Sequence, residues 1–155
     1  MIEPLRMAFE VDCAAQDAFD LWTQRSATWW PTVHTVSAEP GVRVIFEGQP
    51  GGRIFERTPT GREIEWGQIT VWEPPSRLAY LWHIRADRAD ATDVEIRFVQ
   101  QAGGRTRVEI EHRGWERLGA GGRSWRRVNQ GGWDGVLPSY VAECQRVSRL
   151  RAGSR

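Results

Sequence analysis

Tyr80 and His112 are two side chains that can do acid–base chemistry and that are predicted to face the interior of the fold. Each lies in a segment where apolar and polar residues alternate, so both are predicted on the apolar face of a β-strand. A neutral imidazole can donate to a ligand oxygen or transfer a proton. The alternative is that His112 caps the end of its strand and that its side chain bonds to backbone. Glu56, Gln68 and Arg97 are weaker polar candidates, and the alternation puts Arg97 on the opposite face.

The other chemically versatile residues give no pattern typical of a metal or cofactor site. His34 follows a proline turn and His83 alternates with Trp82, so both are predicted to face solvent. The histidines have no paired spacing, and Cys13 and Cys144 belong to no C-x-x-C motif. Nucleotide-binding loops and hydrolase elbows are also missing. We therefore predict that the protein binds no metal ion and no cofactor, and we assign no catalytic residue.

Aromatic residues are the most unusual feature of the composition, since nine of the 155 residues are tryptophan. Each indole can bury about 200 Å² and carries an N–H that requires a partner. Ligand pockets are mostly apolar with a few placed polar groups, so these rings together with His112 are candidates for a ligand-binding wall, although simple core packing remains open for each. The aromatic candidates are Trp30, Phe46, Phe55, Trp66, Tyr80, Trp82, Phe98, Trp115 and Trp133.

The elements that must position these residues follow from hydrophobic periodicity. Residues 5–11 predict a strand, residues 15–23 a short amphipathic helix, and residues 26–31 a second short helix or turn that ends at Pro31. Residues 42–113 predict six strands with a bulge or bend at Gly67. Helical spacing then runs from Trp125 to Cys144, with a kink expected at Pro138. The prediction is one α+β domain over residues 1–148, in which a curved antiparallel sheet of six to seven strands wraps a long C-terminal helix. Residues 149–155 are predicted to form a basic, frayed tail.

Composition excludes several classes of function. The net charge is +1, although all 21 basic residues are arginine, so neither nucleic acid nor an anionic membrane is an expected partner. No segment approaches the roughly 20 apolar residues of a membrane span, and the N-terminus is not typical of a signal peptide. Two unpaired cysteines are typical of a reducing cytosol. The sequence thus predicts a cytoplasmic protein.

Several segments, in order over about residues 5–145, resemble the helix-grip superfamily of START lipid-transfer domains and birch-pollen-allergen-like proteins (SRPBCC). Within it, the chain is most similar to the branch named after the C-terminal domain of the activator of heat-shock protein 90 ATPase. The segments that carry the resemblance are Ala18-Phe19-Asp20-Leu21-Trp22, Trp29-Trp30-Pro31, Pro50-Gly51-Gly52-Arg53, Trp66-Gly67-Gln68-Ile69, Glu73-Pro74-Pro75-Ser76-Arg77-Leu78, Trp82, Thr106-Arg107-Val108, Glu111-His112-Arg113-Gly114-Trp115 and Gly132-Trp133.

This resemblance implies a cavity for an apolar ligand between the sheet and the last helix. The leading hypothesis is a binding protein for an apolar or aromatic small molecule. The second is an enzyme of the cyclase, aromatase or hydrolase type, using Tyr80 and His112 in that cavity. The third is an interaction module that activates a chaperone ATPase, which is less favoured because the chain starts at the first strand without the co-chaperone's N-terminal domain. A homodimer is left open.

Overall fold

A computed structural model describes residues 1–153 of the chain. Seven strands form one sheet in which every neighbouring pair is antiparallel, in the order β1-β7-β6-β5-β4-β3-β2. The strands are β1 (Leu5–Val11), β2 (Arg43–Phe46), β3 (Arg53–Arg57), β4 (Glu63–Glu73), β5 (Arg77–Trp82), β6 (Thr92–Gln100) and β7 (Thr106–Arg113). The helices are α1 (Ala15–Trp22) and α2 (Gly122–Gly153), with short 3₁₀ segments between elements. The predicted α+β helix-grip architecture is confirmed.

The sheet has one covered face, and its side chains alternate accordingly. Along β7 buried residues alternate with exposed or half-buried charged ones, and β5 and β6 repeat the pattern. Tyr80 pairs with Val94, and Val94 pairs with His112, so these three residues lie side by side on the covered face. This period of two is typical of an antiparallel sheet with a single apolar face.

The sheet curls at irregular points in β4. The register shifts opposite Ile54 and Phe55 and again between Ile69 and Val71. Gly67 lies against the carbonyl of Leu81 so closely that a Cβ atom would overlap it. A bulge inserts an unpaired residue and bends its strand, which confirms the predicted irregularity at Gly67.

Helix α2 fills the concave face of the curled sheet. It buries one stripe of side chains and fixes its position against α1 through the Tyr140 hydroxyl, which donates to the Ala18 carbonyl at 2.7 Å. Pro138 lies within the helix, which continues past it. The buried side chains on this stripe include Trp133, Val136, Tyr140, Cys144 and Val147.

The predicted frayed tail is wrong for residues 149–153, because α2 extends to Gly153. Arg151 donates two hydrogen bonds of 2.6 Å to the buried carboxylate of Asp17. This ion pair attaches the last turn of α2 to α1, so these residues belong to the domain. The remainder of the predicted tail, residues 154–155, lies outside the described residues.

Candidate functional site

A cavity of ≈ 80 Å³ lies where the ends of β5 and the 3₁₀ turn Thr32–His34 face α2. Ten of the surrounding residues supply side chains, and Gly132 supplies bare backbone. Four of the side chains are indoles, which makes the wall mostly apolar. The lining residues are Trp30, His34, Trp82, Ile84, Arg85, Trp125, Val128, Asn129, Gly132, Trp133 and Val136.

An outer cleft of ≈ 560 Å³ shares Arg85 and Trp125 with this cavity. The cleft has a more polar wall than the cavity, with three carboxylates along it. Its remaining lining residues are Val36, Ile64, Glu65, Ala86, Asp87, Asp90, Leu118 and Gly121. The two spaces therefore adjoin at Arg85 and Trp125, and we call them together the composite site, with an indole-lined inner end and a more polar outer end.

Three of the predicted site residues, Trp30, Trp82 and Trp133, line the inner cavity. The ring centroids of Trp30 and Trp82 are 6.4 Å apart, and Trp133 stacks on the buried ring of Trp22 at 6.0 Å. The fourth indole, Trp125, comes from the first turns of α2 and was not predicted. The helical spacing that identified α2 also contained Trp125, but only the fold shows which side of the cavity it faces.

Five other predicted residues lie deeper and fill the interior instead of lining a cavity: Phe46, Trp66, Tyr80, Phe98 and Trp115. Tyr80 is 6.1 Å from Phe46 and 5.5 Å from Trp82, measured between ring centroids. Rings at such distances in edge or tilted geometry stabilise a core beyond the area they bury. Trp66 and Tyr80 pack directly on the lining rings and so support the cavity wall from behind.

Phe55 is the predicted site residue that the structure places on the wrong side of the sheet. Its neighbours Ile54 and Glu56 are the inward residues of β3, so Phe55 points outward. The Arg53 guanidinium lies 4.2 Å from the centroid of its ring, and that of Arg57 lies 5.4 Å away. A cation over an aromatic face is a favourable contact, and it explains how an outward Phe is buried.

His112 is fully buried and joins the sheet to α2. The Trp133 indole donates to Nδ1 at 3.0 Å, so the proton of a neutral ring is on Nε2, which donates to the Thr92 hydroxyl at 2.7 Å. Burial lowers the pKa of His112 to about 3. Both predicted roles, backbone cap and acid–base group, are wrong, since both ring nitrogens are held by side chains.

Tyr80 does not meet His112 in a common space either, because neither residue lines the cavity. Burial raises the pKa of the Tyr80 phenol, and the nearby Trp22 side chain offsets only part of this rise. The geometric requirement for a Tyr80–His112 acid–base pair, a shared void, is therefore not met.

The predicted exposure of the other two histidines is also wrong. His83 is only 6% exposed, and its Nε2 lies 2.9 Å from a Glu65 carboxylate oxygen that Arg88 also binds, through Nε at 2.6 Å. His34 is half-buried and lines the cavity. Its ring packs so closely on Gly135 of α2 that a Cβ there would overlap it. Alternation could not foresee either contact, because both histidines follow the regular elements.

Glu56, one of the weaker polar candidates from the sequence, is a buried residue that lines neither space. Its carboxylate is 0% exposed and accepts hydrogen bonds from the Val36 amide at 2.6 Å, the Ser37 amide at 3.0 Å and the Trp66 indole at 2.8 Å. Burial by itself raises the pKa of Glu56, but the hydrogen bonds from Ser37, Val36 and Trp66 lower it overall. Glu56 thus holds the chain that follows His34 against the sheet.

Arg85 and Asn129 are two polar side chains that line the cavity together with the indoles. Arg85 has a left-handed backbone with φ of 59°, and its Nη2 donates to the Thr35 carbonyl at 2.7 Å. The Asn129 amide nitrogen donates to the Trp125 carbonyl at 3.0 Å, which leaves its Oδ1 as an acceptor at the cavity wall.

Residues 1–153 contain no group of three or more His, Cys, Asp or Glu side chains placed to hold a metal ion. Neither α-helix has the length and apolar character needed to cross a bilayer.

Comparison with known proteins places the chain in a family. Residues 12–140 match the family described as "Activator of Hsp90 ATPase homolog 1-like protein". The anthrahydroquino-gamma-pyrone synthase Txn09, solved as a complex, is 33% identical, with 79% of this chain and 84% of that chain covered and a TM-score of 0.57. No curated protein matches significantly.

Two more distant solved structures share the fold. The self-sacrificing resistance protein CalC from Micromonospora echinospora is 22% identical, with 96% and 95% of the two chains covered and a TM-score of 0.66. An Hsp90 activator from Plasmodium falciparum is 15% identical, with 70% and 71% covered and a TM-score of 0.53. With more than half of its length matched, the chain belongs to the Activator of Hsp90 ATPase homolog 1-like family.

Proposed function

We propose that the protein binds a small molecule whose apolar or aromatic group enters the indole-lined cavity. The observation that carries this proposal is the set of four indoles from three separate parts of the chain, Trp30, Trp82, and Trp125 with Trp133, around one space. Indoles offer large apolar faces, and Asn129 adds an acceptor that can orient a bound group.

The size of the site limits what enters it. Typical ligand pockets measure about 300–1,000 Å³, whereas the inner cavity has ≈ 80 Å³. A group of about one aromatic ring therefore fits the inner end, and the rest of the molecule lies in the outer cleft of ≈ 560 Å³.

Gly132 allows a direct test, because a side chain there would project into open space beside the cavity. A neutral probe, naphthalene carboxamide, is titrated calorimetrically into the native protein and into Gly132→Leu. We expect at least a tenfold loss of affinity, since the leucine occupies the volume that the ring needs.

Gly131→Leu is the matched control. Gly131 also borders open space but is exposed and does not line the cavity. Both substitutions improve helix propensity by a similar amount, so they differ only in the blocked volume. Equal binding by the two variants, or no binding of the probe to the native protein, contradicts the proposal.

The enzyme hypothesis stays as a second candidate because the 33% identical relative is a synthase. His34 is the titratable acid–base group that lines the cavity, whereas Tyr80 and His112 lie behind the wall. The substrate of the synthase is incubated with the protein, and products are followed by mass spectrometry. Turnover that His34→Gln abolishes, while the variant still binds substrate, supports catalysis; unchanged substrate rejects it.

The interaction-module hypothesis rests on the family description. Adding the protein to a chaperone ATPase assay and finding no stimulation removes it. The open question of a homodimer is answered by light scattering during size-exclusion chromatography.

A further inference from the structure

Arg85 lies at the boundary between the indole-lined cavity and the outer cleft and lines both. Its backbone adopts a left-handed conformation, φ 59°, which non-glycine residues adopt infrequently and which concentrates at ligand clamps and active sites. One guanidinium nitrogen is held by the Thr35 carbonyl, so the charged group is fixed at this boundary.

The charge of Arg85 has no partner among residues 1–153. Each arginine near it on the chain has one, since Arg77 pairs with Glu95 and Arg88 with Glu65. No carboxylate of the described chain forms an ion pair with Arg85, which uses a neutral carbonyl instead. A cation beside an apolar cavity with unused N–H donors is suited to bind a planar anionic group.

The carboxylates of the cleft decide where such a group can lie. Glu65 forms an ion pair with Arg88 and contacts His83, whereas Asp87 and Asp90 are exposed and form no ion pair within residues 1–153. These two carboxylates line the cleft but not the cavity, and their negative charges disfavour an anion beside them. An anionic group is therefore favoured beside Arg85, which lines both spaces.

We infer that the ligand is an aromatic monoanion, whose ring enters the indole-lined cavity and whose carboxylate, or equivalent planar anion, binds Arg85. This inference rests on the proposed binding function and adds the charge and orientation of the ligand. Asn129 Oδ1, on the α2 side, accepts from a hydroxyl or N–H on the ring when the ligand carries one.

Three probes of nearly identical shape test the charge: naphthalene carboxylate, the neutral carboxamide and the cationic amidinium. We expect the carboxylate to bind at least about tenfold more tightly than the carboxamide, since a hydrogen bond to a charged group is stronger than one to a neutral group. The amidinium is expected to bind weakest. Calorimetric titration gives all three affinities.

Two substitutions test whether Arg85 is the source of the preference for the carboxylate. Arg85→Gln is expected to reduce carboxylate binding about tenfold while carboxamide binding changes less than about threefold. Arg127→Gln removes an exposed positive charge of α2 that lines neither space and belongs to no ion pair within residues 1–153, and it is expected to leave the preference for the carboxylate intact. Circular dichroism and thermal unfolding of each variant check that the fold is preserved.

The outcomes separate this inference from the proposed function. Equal affinity for carboxylate and carboxamide, or an unchanged preference in Arg85→Gln, overturns the anionic ligand while cavity binding stands. Tighter binding of the amidinium also overturns it and assigns the cleft carboxylates as the recognition group. Failure of all three probes, or binding that Gly132→Leu leaves intact, contradicts the cavity itself.

Discussion

His112 shows how a residue with catalytic chemistry can be used for structure. Its neutral ring receives the Trp133 indole N–H and donates to Thr92, so a strand and the central helix are linked through two nitrogen atoms of one side chain. The same link orients Trp133, whose ring forms part of the cavity wall. A buried polar group that is fully hydrogen-bonded specifies one arrangement of its neighbours.

Replacing His112 with Asn is expected to lower the free energy of unfolding at neutral pH by about 1–3 kcal/mol, because a buried donor is left unsatisfied. The pH dependence should also change. The pKa of His112 is about 3 in the folded protein against an ordinary value of 6.5, so the unfolded chain binds the proton first as pH falls. Stability is therefore complete above about pH 6.5 and declines toward pH 3, by up to about 1.4 kcal/mol per pH unit.

Urea unfolding at pH 7, 6 and 5 measures this slope, and most carboxylates remain ionised over that range. In the variant His112→Asn, the dependence of the free energy of unfolding on pH should be smaller by the contribution of one bound proton. His34→Gln, which removes a half-buried histidine, should keep it. A native protein whose stability is flat from pH 7 to 5 contradicts a neutral, desolvated His112.

At the scale of elements, α2 carries glycines where the site needs space. Gly132 leaves room beside the cavity, and Gly135 lets the ring of His34 pack on the helix backbone. Interior glycines weaken a helix by about 1 kcal/mol each relative to alanine. The helix tolerates this cost because its buried stripe, including Tyr140 and Val136, is held by the sheet.

Substituting Gly131 and Gly135 separately by alanine tests this interpretation. Gly131→Ala should raise the free energy of unfolding by about 0.5–1 kcal/mol, since it gains helix propensity in open space. Gly135→Ala should gain little or lose stability, because the new methyl group displaces the ring of His34. Chemical denaturation of both variants gives the comparison, and an equal gain in both would show that His34 does not need Gly135.

At the scale of the whole molecule, the indole-lined cavity lies at one end of the space between the curled sheet and α2. Most of the concave face is filled by packed rings, and the composite site opens between α2, the turn containing His34 and the segment after β5. A ligand held there contacts three separated parts of the chain, so its binding stabilises the folded state as a unit.

Ligand binding should therefore raise the midpoint of thermal unfolding. At a free ligand concentration of about 100 times Kd, the stabilisation is about 2.7 kcal/mol, which corresponds to a rise of roughly 5–10 °C for a domain of this size. Scanning fluorimetry with naphthalene carboxylate measures it. Gly132→Leu should show no rise, and a rise of equal size in that variant would place the binding elsewhere.

Much of the fold could be predicted from local patterns. The sequence predicted one strand at residues 5–11 and six more over residues 42–113, where the structure has them, and Gly67 marked the bend. The site was harder to predict. Alternation placed Tyr80 and His112 inside but could not distinguish a packed interior from a cavity. It also did not predict which side of the sheet Phe55 faces, because its strand has bulky residues on both sides.

The sequence by itself determined the one-faced sheet, the long helix that covers it and the apolar character of the space between them, because periodicity is a local property of the chain. Only the tertiary structure decided which rings line a cavity and which fill the core. That choice depends on residues distant in sequence, such as Trp125 beside Arg85 and His34 against Gly135. The same long-range packing turned His112 from a candidate acid–base group into a link between sheet and helix, and placed the unpaired charge of Arg85 at the mouth of the cavity.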